Sequence, residues 1–171
     1  GRGNLTGRPV FDNTLRIVRD LRSRIDERLV IKTAGGVFDG EGAFRYHWGR
    51  PGSGDGELNG PSGIAFDSHG SVWVVDSLNH RVQNFSNIGE FKSNFGREGH
   101  GNGDLENPWG ICIDHEDCIY VADWGNNRVQ KFSPDGELLV KFEASSSGAG
   151  TLKGPSGVAV DSDGDVYVTD W

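Results

Sequence analysis

The spacing of apolar and polar residues changes character near residue 43. Before that point, Leu15, Val18, Leu21 and Ile25 recur at helical spacing, with Arg16, Arg19, Arg22 and Arg24 mostly on the opposite side. Asp12, Asn13 and Thr14 supply capping side chains ahead of them. Leu29–Thr33 reads as a short strand, Ala34-Gly35-Gly36 as a loop, and residues 39–43 as the start of another helix. That order is a unit of an α/β fold. From residue 44 the apolar runs shorten to four or five residues and are separated by turn-forming residues, the signature of short strands.

These strands repeat. Gly60, Asn107 and Gly154 stand 47 residues apart, and each opens the same frame. The fullest copy predicts strands at Ile111–Asp114, Ile119–Ala122, Arg128–Phe132 and Leu138–Phe142. Asp67-Ser68-His69-Gly70, Ser133-Pro134-Asp135-Gly136 and Asp161-Ser162-Asp163-Gly164 are turns between consecutive strands. Four antiparallel strands per cycle of this length indicate a β-propeller blade. The fold class is therefore mainly β: a partial propeller of four-stranded blades over 44–171, preceded by a short α/β segment over 1–43. Small residues at Ala65, Cys112 and Ala159 fit where blades would converge.

The pattern Pro-x-Gly-Ile-x-x-Asp, Val-Tyr-Val-x-Asp, Asn-x-Arg-Val-Gln-x-Phe resembles the NHL-repeat family, with Asn79-His80-Arg81 and Asn126-Asn127-Arg128 at the signature tripeptide. That resemblance implies six blades, of which this chain would supply about 2.7. Residues 3–43 resemble a C-terminal piece of dihydroorotate dehydrogenase of the membrane-associated class. The likeness lies in Leu5-Thr6-Gly7-Arg8-Pro9 and in Ile31–Glu41. It implies a flavin barrel in which Gly7, Gly35 and Gly36 lie near the FMN phosphate, with FMN bound only if the complete barrel is present. The chain opens on Gly and stops within a repeat, so it reads as one piece of a longer frame.

Charge sharpens the division. Residues 1–43 hold 8 Lys and Arg against 6 Asp and Glu, and residues 44–171 hold 9 against 19. The acidic repeat region argues against a phosphate-driven nucleic-acid surface and favours a basic partner. Cys112 and Cys118 align with small residues in the other copies and form no metal or disulfide framework. No signal peptide or apolar span is present, which points to a reducing, cytoplasmic compartment.

Candidate chemistry is sparse. Asp76, Asn79 and Arg81 recur as Asp123, Asn126 and Arg128, as a structural requirement of every blade would. Some relatives of the repeat are metal-dependent lyases, and the resemblance places His80 where such enzymes carry a zinc-binding His. Asn127 takes its place one repeat on, so no three-histidine site emerges and no metal is expected. Asp161, Asp163 and Asp165 fit a hairpin turn better than a calcium loop. Residues that differ between copies are the candidates for partner binding: His80, Trp109 and Trp124. The sequence thus predicts a non-enzymatic, cofactor-free scaffold that binds a protein partner. RNA binding by a complete propeller is one alternative, and a fused FMN-dependent dehydrogenase is another. An arc of fewer than three blades leaves blade faces uncovered, so self-association is expected.

Overall fold

The structure, a computed structural model, describes residues 37–38, 40–41, 43–143 and 151–171. The helix expected around Leu15–Ile25, and Gly7, Gly35 and Gly36, lie outside the described residues. Strand β1 (Val37–Phe38) pairs antiparallel with β2 (Phe44–Tyr46), with a turn at residues 40–41. The helix start expected over 39–43 is not formed at the described residues 40, 41 and 43. Gly40 disfavours a helix, and hairpin pairing gives the backbone its partners instead.

The repeat region follows the expected strands closely. Short strands β3 (Arg50–Pro51) and β4 (Glu57–Leu58) pair in parallel and lead into the first blade. That blade holds β5 (Pro61–Phe66), β6 (Val72–Asp76), β7 (Arg81–Phe85) and β8 (Phe91–Phe95), antiparallel and side by side in that order. The second blade repeats it with β9 (Ile111–Ile113), β10 (Ile119–Asp123), β11 (Arg128–Phe132) and β12 (Leu138–Phe142). A third unit begins with the hairpin of β13 (Gly157–Val160) and β14 (Val166–Thr169).

The turns between the first two strands of each unit are built on one carboxylate. Asp67, Asp114 and Asp161 each accept two backbone N–H bonds within their own turn, and their second oxygen accepts from Trp73 Nε1, Tyr120 OH and Tyr167 OH respectively. Gly70 and Gly164 hold these turns at positive φ, and Asp117 takes the same conformation at φ 61°. Ser68 repays that strain across the seam between blades. Its backbone N–H and its hydroxyl donate to the two Asp117 oxygens at 2.7 and 2.6 Å.

The core lies between blades. Trp73, Val75 and Val82 of the first blade pack with Leu105, Ile119, Val121 and Phe132, and Ile111 and Ile113 close the seam. Cys118, Tyr120 and Val129 face the third unit through Leu152, Val158, Val160, Val166 and Val168. β6 and β10 are consequently buried along their whole length rather than alternating, because each is covered on both faces. Close approach of the innermost strands rests on Gly63 and Gly110. A Cβ there would lie 2.7 Å from the Trp109 carbonyl oxygen and 2.5 Å from that of Ser156. Cys112, one of the small residues expected where blades converge, packs in the seam toward the third unit as well.

Candidate functional site at the loop face

One buried carboxylate per blade organises the loops at one end of the sheets. Asp123 ends β10, and none of its surface is exposed. One oxygen accepts the Glu106 backbone N–H at 2.7 Å. The other accepts from Asn126 Nδ2, Arg128 Nε and Gln130 Nε2 at 2.9, 2.7 and 3.1 Å. These donors then reach back to the Gly-rich loop before β9. Asn126 bonds the Gly99 carbonyl, Arg128 those of His100, Gly101 and Asp104, and Gln130 the Asp104 carbonyl and the Gly103 N–H.

Asp76, Asn79, Arg81 and Gln83 build the same clamp on the loop before β5, with Asn59 N, Gly52 O, Gly54 O, Glu57 O and Gly56 N as its backbone partners. Recurrence of these residues is thus a framework requirement. A buried carboxylate needs its lone pairs filled, and the loop carbonyls need donors. Gln83 and Gln130 are full members of the clamp, a role that their presence in the repeat signature alone did not disclose.

The clamp differs between blades at His100, which aligns with Ser53. Both Asn126 Nδ2 protons go to oxygen acceptors, so Asn126 Oδ1 is left to accept. His100 Nδ1 lies 2.6 Å from it and carries the proton. In the neutral ring this tautomer makes Nε2 of His100 the acceptor nitrogen; the ring is exposed, and Nε2 makes no hydrogen bond among the described residues. Arg128 fixes the His100 carbonyl as well, at 3.2 Å. Backbone and ring are held together, and Nε2 is left open to solvent.

Trp124 begins the 3-10 turn that contains Asn126, and the Trp109 backbone N–H donates to the Ala122 carbonyl, two residues before Trp124. Both indoles stand at this end of the sheet, 40% and 50% exposed respectively. His80 is placed differently. It closes the equivalent turn of the first blade at φ 54°, its side chain is mostly covered, and Nδ1 accepts the Asn107 N–H at 3.1 Å. Asn127 Oδ1 does the same for the Gly154 N–H at 2.9 Å. The structure bonds His100 to Asn126 of the turn that Trp124 begins, and occupies His80 in a seam between blades.

Outside the loop face, Asp114, Glu116 and Cys118 could in principle converge on a cation. Asp114 already accepts from two amides and Tyr120, and the Lys131 ammonium lies 3.1 Å away. Burial alone would raise the Asp114 pKa, but the Cys118 amide, Lys131, the Glu116 amide and Tyr120 together hold it below the usual carboxylate value. The same opposition lowers Asp67, where burial is outweighed by Trp73 and turn donors. Groups with depressed folded-state values contribute their full stabilisation above the ordinary carboxylate range and lose it as pH falls through the depressed values. Urea midpoints are therefore expected to hold near neutrality and fall progressively below about pH 4. A midpoint constant down to pH 2 would contradict this. Burial, followed by the Asp114 charge, pushes the Cys112 thiol up to about 11, so it is a packing group rather than a nucleophile.

Comparison with known proteins agrees with the blades. The family model described as SMP-30/gluconolactonase/LRE-like region matches residues 56–149, and an NHL-repeat model matches residues 152–171. No curated protein sequence matches the chain. Among solved structures, virginiamycin B lyase from Staphylococcus aureus superposes with a TM-score of 0.59 at 20% identity, over 81% of this chain and 42% of that one. A gluconolactonase from Xanthomonas campestris gives 0.51 at 19% identity, over 76% and 39%. A protein of unknown function from Bacteroides caccae gives 0.54 at 17% identity, over 80% and 46%. The chain thus spans less than half the length of these structures.

Two expectations are corrected. The resemblance of residues 3–43 to dihydroorotate dehydrogenase finds no support, since the matched families are both propeller families. The expectation that the protein is not an enzyme is overturned by the lactonase family match, with a lactonase and a lyase among the structural neighbours. With more than half of its residues inside the matched region, the chain belongs to the SMP-30/gluconolactonase/LRE-like family of β-propellers.

Proposed function

We propose that the chain works as part of a propeller enzyme that opens a cyclic ester at the loop face, with His100 as proton acceptor. The observation that carries this reading is the orientation of His100: Asn126 Oδ1 accepts the Nδ1–H hydrogen bond and leaves Nε2 open to solvent. The family's lactonase name and the gluconolactonase neighbour supply the substrate class. In the proposed step, water gives a proton to Nε2 as its oxygen adds to the ester carbonyl. The ring C–O bond then breaks, and the departing alkoxide takes the proton back.

The test uses gluconolactone in a pH-stat. The chain is expected to open it faster than buffer alone, and His100→Gln to lower the catalysed rate by about 100-fold or more. A rate equal to buffer, or one unchanged by His100→Gln, would overturn the proposal.

A second reading is favoured by the two half-exposed indoles, Trp109 and Trp124. Exposed aromatics on a blade rim suit a protein contact, and the acidic repeat region suits a basic one. That reading leaves His100→Gln without effect on binding and makes Trp124→Ala the damaging substitution.

A further inference from the structure

The loops ahead of the two blades share one turn, and they differ at its second residue. Gly54-Asp55-Gly56-Glu57 leads toward β5, and Gly101-Asn102-Gly103-Asp104 leads toward β9. In each, the last residue donates its backbone N–H to the first carbonyl, at 3.0 and 3.3 Å, and its carboxylate accepts the first N–H, at 2.9 and 3.1 Å. Gly56 and Gly103 take the same positive φ, 75° and 79°. Their N–H groups donate to Gln83 and Gln130, both fully buried.

An asparagine followed by glycine carries its own reagent. The glycine amide nitrogen, once it loses its proton, adds to the asparagine Cγ, because glycine has no side chain to block the approach. Ammonia leaves with the proton, and a cyclic imide remains. Water then opens the imide. Breaking the bond between Cγ and nitrogen gives aspartate on an unchanged backbone. Breaking the bond on the other side gives isoaspartate, with the chain rerouted through Cγ. Amide and water are consumed, ammonia and a carboxylate are formed, and nothing is oxidised or reduced.

Asn102 is exposed, and its side chain makes no hydrogen bond among the described residues. Its Cγ is open to attack. The Gly103 nitrogen is not, because its proton is held by Gln130 Oε1 at 3.1 Å. The first blade shows the surroundings an aspartate meets in this turn. Asp55 Oδ1 accepts from Asn94 Nδ2 at 2.8 Å and lies 4.0 Å from Arg81 Nη1. Lys141 and Arg128 hold those two places in the second blade, where Glu143 lies 2.8 and 3.7 Å from them. A carboxylate at residue 102 would share two cations with Glu143.

We propose that Asn102 is a site of spontaneous, one-way deamidation, and that the hydrogen bond from Gly103 to Gln130 sets its rate. While that bond is made, the nitrogen keeps its proton and residue 102 stays an asparagine. Each local opening of the loop permits conversion. Aspartate fits the turn as Asp55 does, whereas isoaspartate lengthens the backbone between Gly101 and Asp104 and breaks the turn. Nothing in this proposal depends on the chemistry at His100.

Mass spectrometry of the peptide spanning the loop tests it, on wild-type and Gln130→Leu chains aged side by side at mildly alkaline pH. Conversion at Asn102 is expected to be slow in the folded wild type and fastest in the wild type unfolded by urea. In folded Gln130→Leu it is expected to run about 5-fold faster than in the folded wild type, the equilibrium worth of one hydrogen bond. Asn102→Asp is expected to keep the wild-type urea midpoint or raise it slightly. Should Gln130→Leu fail to fold, the folded and unfolded wild-type rates decide, and equal rates would overturn the proposal. So would a folded Gln130→Leu chain that converts no faster than the wild type, no conversion at Asn102 even in urea, or an Asn102→Asp chain with a clearly lower midpoint.

Discussion

Asp123→Ala is expected to cost about 3–5 kcal/mol of stability, measured by urea denaturation. The substitution removes the acceptor for the Glu106 amide, Asn126, Arg128 and Gln130 together. It also leaves the Arg128 guanidinium, 4% exposed, without its carboxylate at 2.7 Å. Half-exposed Glu143, 3.7 Å from Nη1, remains nearby, but a buried cation so weakly compensated costs far more than one lost hydrogen bond. Exposed pairs offer a contrast. Arg97 bonds Asp104 at the same 2.7 Å, but Arg97 is 83% exposed and solvent competes for it. Arg97→Ala should therefore shift the midpoint little. If Asp123→Ala and Arg97→Ala prove equally mild, the clamp does not hold the loop.

Leu105→Ala is the second large effect, at about 2–5 kcal/mol. Leu105 is fully buried where the loop before β9 enters the first seam, among Trp73, Val75, Val82, Ile119, Val121 and Phe132. Its site cannot collapse easily, because both blades are rigid and a methyl group alone would remain. Leu58 holds the same position one repeat earlier but is only partly buried beside Val72, Val74 and Phe85. Leu58→Ala is expected to cost clearly less. Equal losses, or the reverse order, would show that the seam is not the core.

Much of the fold was legible because each repeat carries its own punctuation. Asp-x-x-Gly marks the inner turns, and Ser-Pro-Asp-Gly ends at a glycine with φ 84°. Both are local chemistry, and the strands between them formed as expected at Arg128–Phe132 and Leu138–Phe142. The structural reading of Asp76, Asn79 and Arg81 also follows from spacing, since their partners recur at fixed offsets.

The site was much less legible. His100 has no counterpart in the other copies, and its meaning depends on Asn126, 26 residues away, turning its oxygen outward. That orientation is set by where the Nδ2 protons go, which spacing does not encode. His80 stood out as a lone histidine in the signature, yet its ring does the work of the Asn127 side chain. The close approach at Gly63 and Gly110 was equally hidden, because it depends on the neighbouring blade.

Amide hydrogen exchange tests the central claim most directly, that buried carboxylates lock the loop face to the blades. The Asn59 and Glu106 amides bond to Asp76 and Asp123, and those of Gly56 and Gly103 to Gln83 and Gln130. All four lie in loops, and all four are predicted to exchange as slowly as strand amides of β6 and β10, through opening of the blades themselves. Exchange of these amides at the rate of free loops, while β6 and β10 stay protected, would contradict the account.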